Sequence, residues 1–117
     1  MYSQGDIVWI DWGYIDKKNP NETKPRPCLV ISNNDCHNSD SADLILCPFT
    51  SNTRLNKFCY LIDNKDLSRS LQKFSELRAN KIFTYSSSKV LSKHGEIINP
   101  EVLNKIIELV NSAIKIS

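Results

Sequence analysis

The stretch Pro25-Arg26-Pro27, running into Cys28-Leu29-Val30-Ile31, constrains this chain more than any other. Each proline ring fixes φ at about −65° and removes a backbone donor. The residue before a proline is driven to extended backbone, so Pro25 and Arg26 are both held extended. Cys28 to Ile31 is apolar at every position, as in a strand covered on both faces. The stretch therefore predicts a buried strand with an arginine fixed at its mouth. A guanidinium so placed can grip a phosphate with a planar fork of donors. It can equally pair with a nearby carboxylate and close the rim of the sheet.

The 117 residues suit one domain with a single core. Fifteen basic and thirteen acidic residues leave a net charge of +2, so partners depend on where the basic residues cluster. The four cysteines, Cys28, Cys36, Cys47 and Cys59, form no C-x-x-C pair. Cys28 and Cys47 lie in apolar runs and read as buried reduced thiols. No signal peptide is read, so a cytoplasmic, reducing location is expected. Cys36-His37 lacks a second pair at zinc spacing, and neither a metal nor another cofactor is expected. No apolar run approaches the ~18 residues of a membrane span.

Ile7 to Trp12 reads as a first strand, with Ile7, Trp9 and Asp11 on one face and Val8, Ile10 and Trp12 on the other. Residues 14–25 form a surface loop made basic by Lys17, Lys18 and Lys24. A second strand is expected from about Arg26 to Ser32, then a polar connection, then a third strand from Asp43 to Phe49. Pro48 cannot donate to a ladder and is expected at a bulge or an edge. Residues 50–57 make a hydroxyl-rich basic loop, and Phe58 to Ile62 a fourth strand. Ser75 to Phe83 alternates with period two, which predicts a single fifth strand with Glu76, Arg78 and Asn80 side by side. Ser86 to Lys93 suggests a short helix and Glu96 to Ile98 a short strand. Asn99-Pro100-Glu101 is a helix start, with N-cap, proline and first-turn acid, and apolar residues from Val102 to Ile114 recur at helical spacing. The expected fold is mainly β: a small twisted barrel or half-barrel followed by a terminal helix.

Single-stranded nucleic acid is held in basic grooves with aromatic platforms. Lys17, Lys18, Lys24, Arg54 and Lys57 fall in two loops that flank the ends of the second and third strands. Tyr14 and Phe49 are nearby candidates for base stacking, whereas Trp9 and Trp12 read as core.

Three motifs then coincide: Gly5-Asp6-Ile7-Val8-Trp9-Ile10-Asp11, Arg26-Pro27-Cys28-Leu29-Val30-Ile31-Ser32, and Leu46-Cys47-Pro48-Phe49-Thr50-Ser51. In this order and spacing the chain resembles the MazF/PemK toxins of bacterial type II toxin–antitoxin systems. The likeness continues through Ser75 to Ser86 and Gly95-Glu96-Ile97 into the last helix. It implies an SH3-like β-barrel with a C-terminal α-helix, working as a homodimer. It also implies metal-independent cleavage of single-stranded RNA at short sequences, silenced by a cognate antitoxin. By motif, Arg26 matches the family arginine of the R-P step, Thr50 the hydroxyl ending the third strand, and Arg78 a catalytic arginine of the PemK branch. Asn80 stands where that branch has an aspartate, and an amide cannot take a proton at neutral pH. Asn80 is accordingly read as an RNA contact. The family's Glu-Gln pair and glycine before the R-P step are replaced by Glu22-Thr23-Lys24-Pro25, one residue shorter.

RNA can be cut by its own 2′-hydroxyl if the protein supplies a proton acceptor, a proton donor and positive charge at the phosphorane. Arg26 and Arg78 supply charge on this reading, and Thr50 and Ser51 hydrogen-bond an oxygen of the phosphate or the attacking hydroxyl. Glu22, beside Arg26, is the candidate base, with Glu76 the other carboxylate in reach of the motifs. The products would be a 2′,3′-cyclic phosphate and a 5′-hydroxyl. Three other readings stand beside this one. A gyrase-poisoning toxin of the CcdB type shares the fold but ends in an aromatic tail, whereas this chain ends Ala113-Ile114-Lys115-Ile116-Ser117. An SH3-like binding module, or a family member that no longer cuts, would leave the arginines incidental.

Overall fold

The computed structural model of the chain describes residues 1–12, 24–38 and 43–117. Its strands are β1 (Asp6–Trp12), β2 (Lys24–Val30), β3 (Asp43–Thr50), β4 (Cys59–Leu61), β5 (Glu76–Arg78), β6 (Phe83–Ser86) and β7 (Ser92–Glu96). The helices are the one-turn α1 (Asn34–His37) and the long α2 (Pro100–Ile114). All pairings are antiparallel. The sheet runs in the order β4-β5-β3-β2-β1-β7, with β6 also on β3.

The central strands of the sheet are buried on both faces. Ile7, Leu29, Cys47, Phe49 and Leu77 face α2 and pack with Val102, Ile106 and Val110. Val8, Ile10, Cys28, Val30, Leu44 and Leu46 form a second cluster on the opposite face, bordered by Trp12, Phe83 and Tyr85. The alternation read in Ile7–Trp12 thus divides the strand between the two clusters. The α2 start follows its sequence: the Asn99 side chain accepts from the Glu101 amide, and Pro100 occupies the first turn.

Several expectations need correction or detail. The predicted single strand from Ser75 to Phe83 is two strands. A turn follows Arg78, with the Lys81 amide donating to the Arg78 carbonyl at 3.1 Å. The chain then returns along β3, so Leu46 faces Phe83 while Phe49 faces Leu77. Ser86 to Lys93 holds only a 3-10 turn at Ser87–Lys89, and the following strand begins earlier than expected, at Ser92. The connection after β2 includes α1, whose cap Asn33 accepts from the Cys36 amide.

Pro48 is neither at a bulge nor on an edge strand; it is buried within β3. The reason lies in the ladder. The Ile31 amide donates to the Ile45 carbonyl, so alternate residues from Ile45 turn their backbone groups to β2, and Pro48 turns away from it. On that far side β3 exchanges partners, from β6 through Leu46 to β5 from Phe49. The missing donor falls in the space between two partners.

Candidate active site

The ends of β2, β3 and β5 come together, and register decides which side chains meet. Cys28 lies opposite Pro48, so continuing the same alignment sets Arg26 beside Thr50. Thr50 lies opposite Glu76 and Phe49 opposite Leu77, so Arg78 follows beside Pro48. Opposed residues share a face, as do alternate residues within a strand. Arg26, Thr50, Glu76 and Arg78 therefore stand on one face, at the rim of the cluster built on Val8, Ile10 and Cys28.

The two prolines shape this rim. Ile31 donates toward β3, so Leu29, Pro27 and Pro25 also turn their backbone nitrogens that way, and Arg26 and Cys28 turn theirs to β1. The β1–β2 ladder continues to Lys24. The β2–β3 ladder stops at Cys28, where proline withholds the next donor. Strand pairing ends where Arg26 and Thr50 face each other.

The Arg26 guanidinium lies 5.8 Å from the centroid of the Trp12 ring, its diagonal neighbour across β1 and β2. Such a contact contributes about 0.5–1 kcal/mol, and more when desolvated. Trp12 in turn meets Phe83 edge to face at 5.2 Å. Arg26 and Arg78 each keep a buried Nε with no hydrogen-bond partner among the described residues. The ion pairs found there, Lys65–Asp63 and Lys93–Asp6, involve neither arginine. A buried donor left unmet costs roughly 1–3 kcal/mol. Two guanidinium groups at one rim place positive charge together, which suits an anion.

Thr50 Oγ1 accepts from the Asn52 amide at 3.1 Å. Its hydroxyl proton remains available to a ligand. Ser51 is exposed beside it, as are Arg54 and Lys57 further along the loop. Lys24 is exposed at the start of β2, opposite Trp12.

Glu76 has no accessible surface. Its Oε1 accepts from the Arg54 amide at 2.8 Å and its Oε2 from the Leu55 amide at 3.3 Å. Burial pushes this carboxyl up, but the Arg54 amide, the Cys59 thiol, the Leu55 amide and the Arg78 charge together bring it below the usual glutamate range. It is an ionised anchor with both oxygens engaged. Leu55, held by one of these bonds, has φ 54, a left-handed conformation costing a branched residue about 1–3 kcal/mol. A hydrogen bond to a charged acceptor contributes about 1.5–3 kcal/mol, so two of them outweigh the strain.

Several expected site residues fall differently. Phe49 is no base platform: it is 1% exposed and belongs to the helix-side core, because alternation sends it across the sheet from Thr50. Asn80 is exposed in the turn after β5 and does not continue the face of Glu76 and Arg78. Glu22, Lys17, Lys18 and Tyr14 lie outside the described residues. Sequence reasoning did not find the roles of Trp12 and of Glu76. For Trp12 the signal was its place two residues past Ile10, the register partner of Arg26. For Glu76 it was an acid flanked by Ser75 and Leu77 in an otherwise inward-facing strand.

Both histidines are committed. His37 is buried, its Nε2 donating to the Tyr2 carbonyl at 2.9 Å while Nδ1 accepts from Ser32 Oγ at 2.8 Å. His94 Nε2 donates to the Ser70 carbonyl, and its Nδ1 accepts from the Trp9 indole. Burial raises the Cys28 and Cys47 thiols to about 12, with Cys47 adding to the rise at Cys28 and Arg26 opposing it. These are inert thiols. Among the described residues no three His, Cys, Asp or Glu side chains gather as a metal site requires, and no helix is long and apolar enough to cross a membrane.

Solved structures share this architecture. A mycobacterial endoribonuclease in complex with its cognate antitoxin superposes with a TM-score of 0.75 at 23% identity, over 97% of this chain and 94% of that one. The MazE–MazF complex of Deinococcus radiodurans gives 0.74 at 18% identity, over 99% and 98%. The Mycobacterium tuberculosis toxin MazF-mt6 gives 0.72 at 12% identity, over 96% and 98%. These likenesses establish the barrel-like β fold with its terminal helix. No curated protein matches the chain. The family model for the PemK-like, MazF-like toxins of type II toxin–antitoxin systems matches residues 3–115. Nearly the whole sequence is covered by that match, and the chain belongs to this toxin family.

Proposed function

We propose that this toxin is an endoribonuclease that cuts single-stranded RNA without a metal, using the substrate's 2′-hydroxyl as nucleophile. One observation carries the reading. Arg26 and Arg78 share a rim with Thr50, and neither guanidinium is in an ion pair among the described residues, the Arg78 charge acting on the Glu76 carboxylate without a direct contact. Charge aimed at a developing phosphorane is often the largest contribution to such catalysis. Arg26 and Arg78 hold the scissile phosphate, and the Thr50 and Ser51 hydroxyls donate to its oxygens. Lys24, Arg54 and Lys57, with Lys17 and Lys18, track the flanking backbone.

Three alternatives to Glu22 as proton acceptor are already engaged. Both histidines make two hydrogen bonds each, and Glu76 is spent on loop amides. Glu22, in the connection leading into β2, is the base of this proposal. As the O2′–P bond forms and the P–O5′ bond breaks, Glu22 takes the 2′-hydroxyl proton, a proton relayed back through water reaches the leaving 5′-oxygen, and the products are a 2′,3′-cyclic phosphate and a 5′-hydroxyl. The mycobacterial and Deinococcus neighbours were solved with antitoxins. By that analogy a cognate antitoxin silences this chain; a homodimer as the active form is what the resemblance to the MazF/PemK toxins implies.

The test is cleavage of a long single-stranded RNA in EDTA with end-group analysis, run beside Arg26→Ala. Cuts at a recurrent short motif with cyclic phosphate ends, reduced at least a hundredfold by the substitution, are expected for loss of a transition-state contact. Folded wild-type protein that leaves RNA intact would refute the reading and favour a toxin that acts by binding.

A further inference from the structure

We infer that Glu76 is a positioning residue, whose buried carboxylate fixes the Ser51–Lys57 loop in its RNA-gripping shape. This rests on the ribonuclease reading above. The geometry is unusual for a solvated loop. Its first turn is closed by the Asn52 amide on Thr50 Oγ1. Its middle is clamped by the Arg54 and Leu55 amides on the two oxygens of Glu76. Its exit is closed by the Phe58 amide on Asn56 Oδ1 and the Cys59 amide on the Asn56 carbonyl. Leu55 is held at φ 54 with the residue 68% exposed, so packing of its side chain does not explain the conformation. The carboxylate is what stands against the strained bend. Glu76 is also the register partner of Thr50, so one strand end sets both the hydroxyl and the loop that carries Arg54 and Lys57.

A glutamine at position 76 can accept from only one of the two amides, because its other terminal atom is a donor. The experiment compares wild type, Glu76→Gln and Glu76→Asp on an oligoribonucleotide centred on the mapped cut, with amide hydrogen exchange read in parallel. For Glu76→Gln we expect KM to rise about tenfold with kcat within about threefold, as uniform binding is lost. Exchange at Arg54 and Leu55 should accelerate while β1 to β3 stay protected. Leu55→Asn, which eases the left-handed bend, should recover part of the lost affinity in the Glu76→Gln background. Glu76→Asp retains the charge but draws it back by one methylene, and supplies the same readings if the glutamine variant does not fold. Unchanged exchange or unchanged KM in a folded variant overturns the inference. So does a fall confined to kcat with loss of the acid limb of the pH profile, which would make Glu76 the base. Wild-type protein that does not cut overturns the ribonuclease reading, while the exchange comparison still decides the clamp.

Discussion

A carboxylate with no accessible surface and two amides on its oxygens ties this fold to pH. The Glu76 carboxyl titrates below its usual range in the folded chain. The unfolded chain therefore takes up the proton first as pH falls. The stability Glu76 contributes is fully present above the ordinary glutamate range and is lost as pH drops through the lower, folded value. For one proton the slope is at most about 1.4 kcal/mol per pH unit. Urea midpoints of wild type should fall through this window more steeply than those of Glu76→Gln, and parallel curves would sink the assignment. The neighbouring groups are Arg78, whose charge favours ionisation, and Cys59, whose thiol is raised chiefly by burial and by Glu76 itself. At this scale the sequence was unevenly legible. Arg26 announces itself through its two prolines. Glu76 does not, because its partners are backbone amides more than 20 residues away in the chain. Phe49 misleads because it adjoins Thr50 in sequence while pointing to the other side of the sheet.

Among the elements, β2 links local chemistry most directly to the site. Its prolines leave the β1 ladder intact and end the β3 ladder at Cys28. Pro27→Val restores a donor directed at β3 and should let the ladder advance toward Thr50. We expect a protected new amide at position 27, a melting temperature equal to or above wild type, and kcat/KM for RNA reduced about tenfold, a loss of ~1.4 kcal/mol. Full activity with that amide protected would show that the interrupted ladder does not shape the rim. The same logic explains which elements could be read in advance. β1, β2, β3 and α2 carry period, capping and proline signals that agree with their tertiary roles. β5 and β6 do not separate in the sequence. The turn between them holds neither glycine nor proline, and the alternation runs on from β5 as far as Asn80 before it lapses at Lys81-Ile82. Only β3, paired with both, distinguishes them.

Across the whole molecule, the sheet keeps its two functions on opposite faces. The α2 side carries the larger cluster, in which Ile106 has no accessible surface. The other side runs from the Val8 and Ile10 cluster out to the arginine rim. If stability is drawn chiefly from the helix face, damage there should leave the chemistry of the remaining folded molecules alone. Ile106→Ala removes three methyl or methylene groups from a closed site, at a cost of about 2–5 kcal/mol. For a chain of this length that corresponds to a melting temperature lower by roughly 8–20 °C. Well below the new transition, kcat/KM per folded molecule should stay within about twofold of wild type. A larger loss, with Glu76 and β2 still protected from exchange, would mean that α2 is coupled to the rim through the sheet. Phe49 and Leu77 would be the first residues to suspect. They belong to the helix-side core, yet each is the chain neighbour of a rim residue: Thr50 follows Phe49, and Glu76 and Arg78 flank Leu77. A cavity left at Ile106 would then shift those two side chains and tilt the strand ends that carry the site.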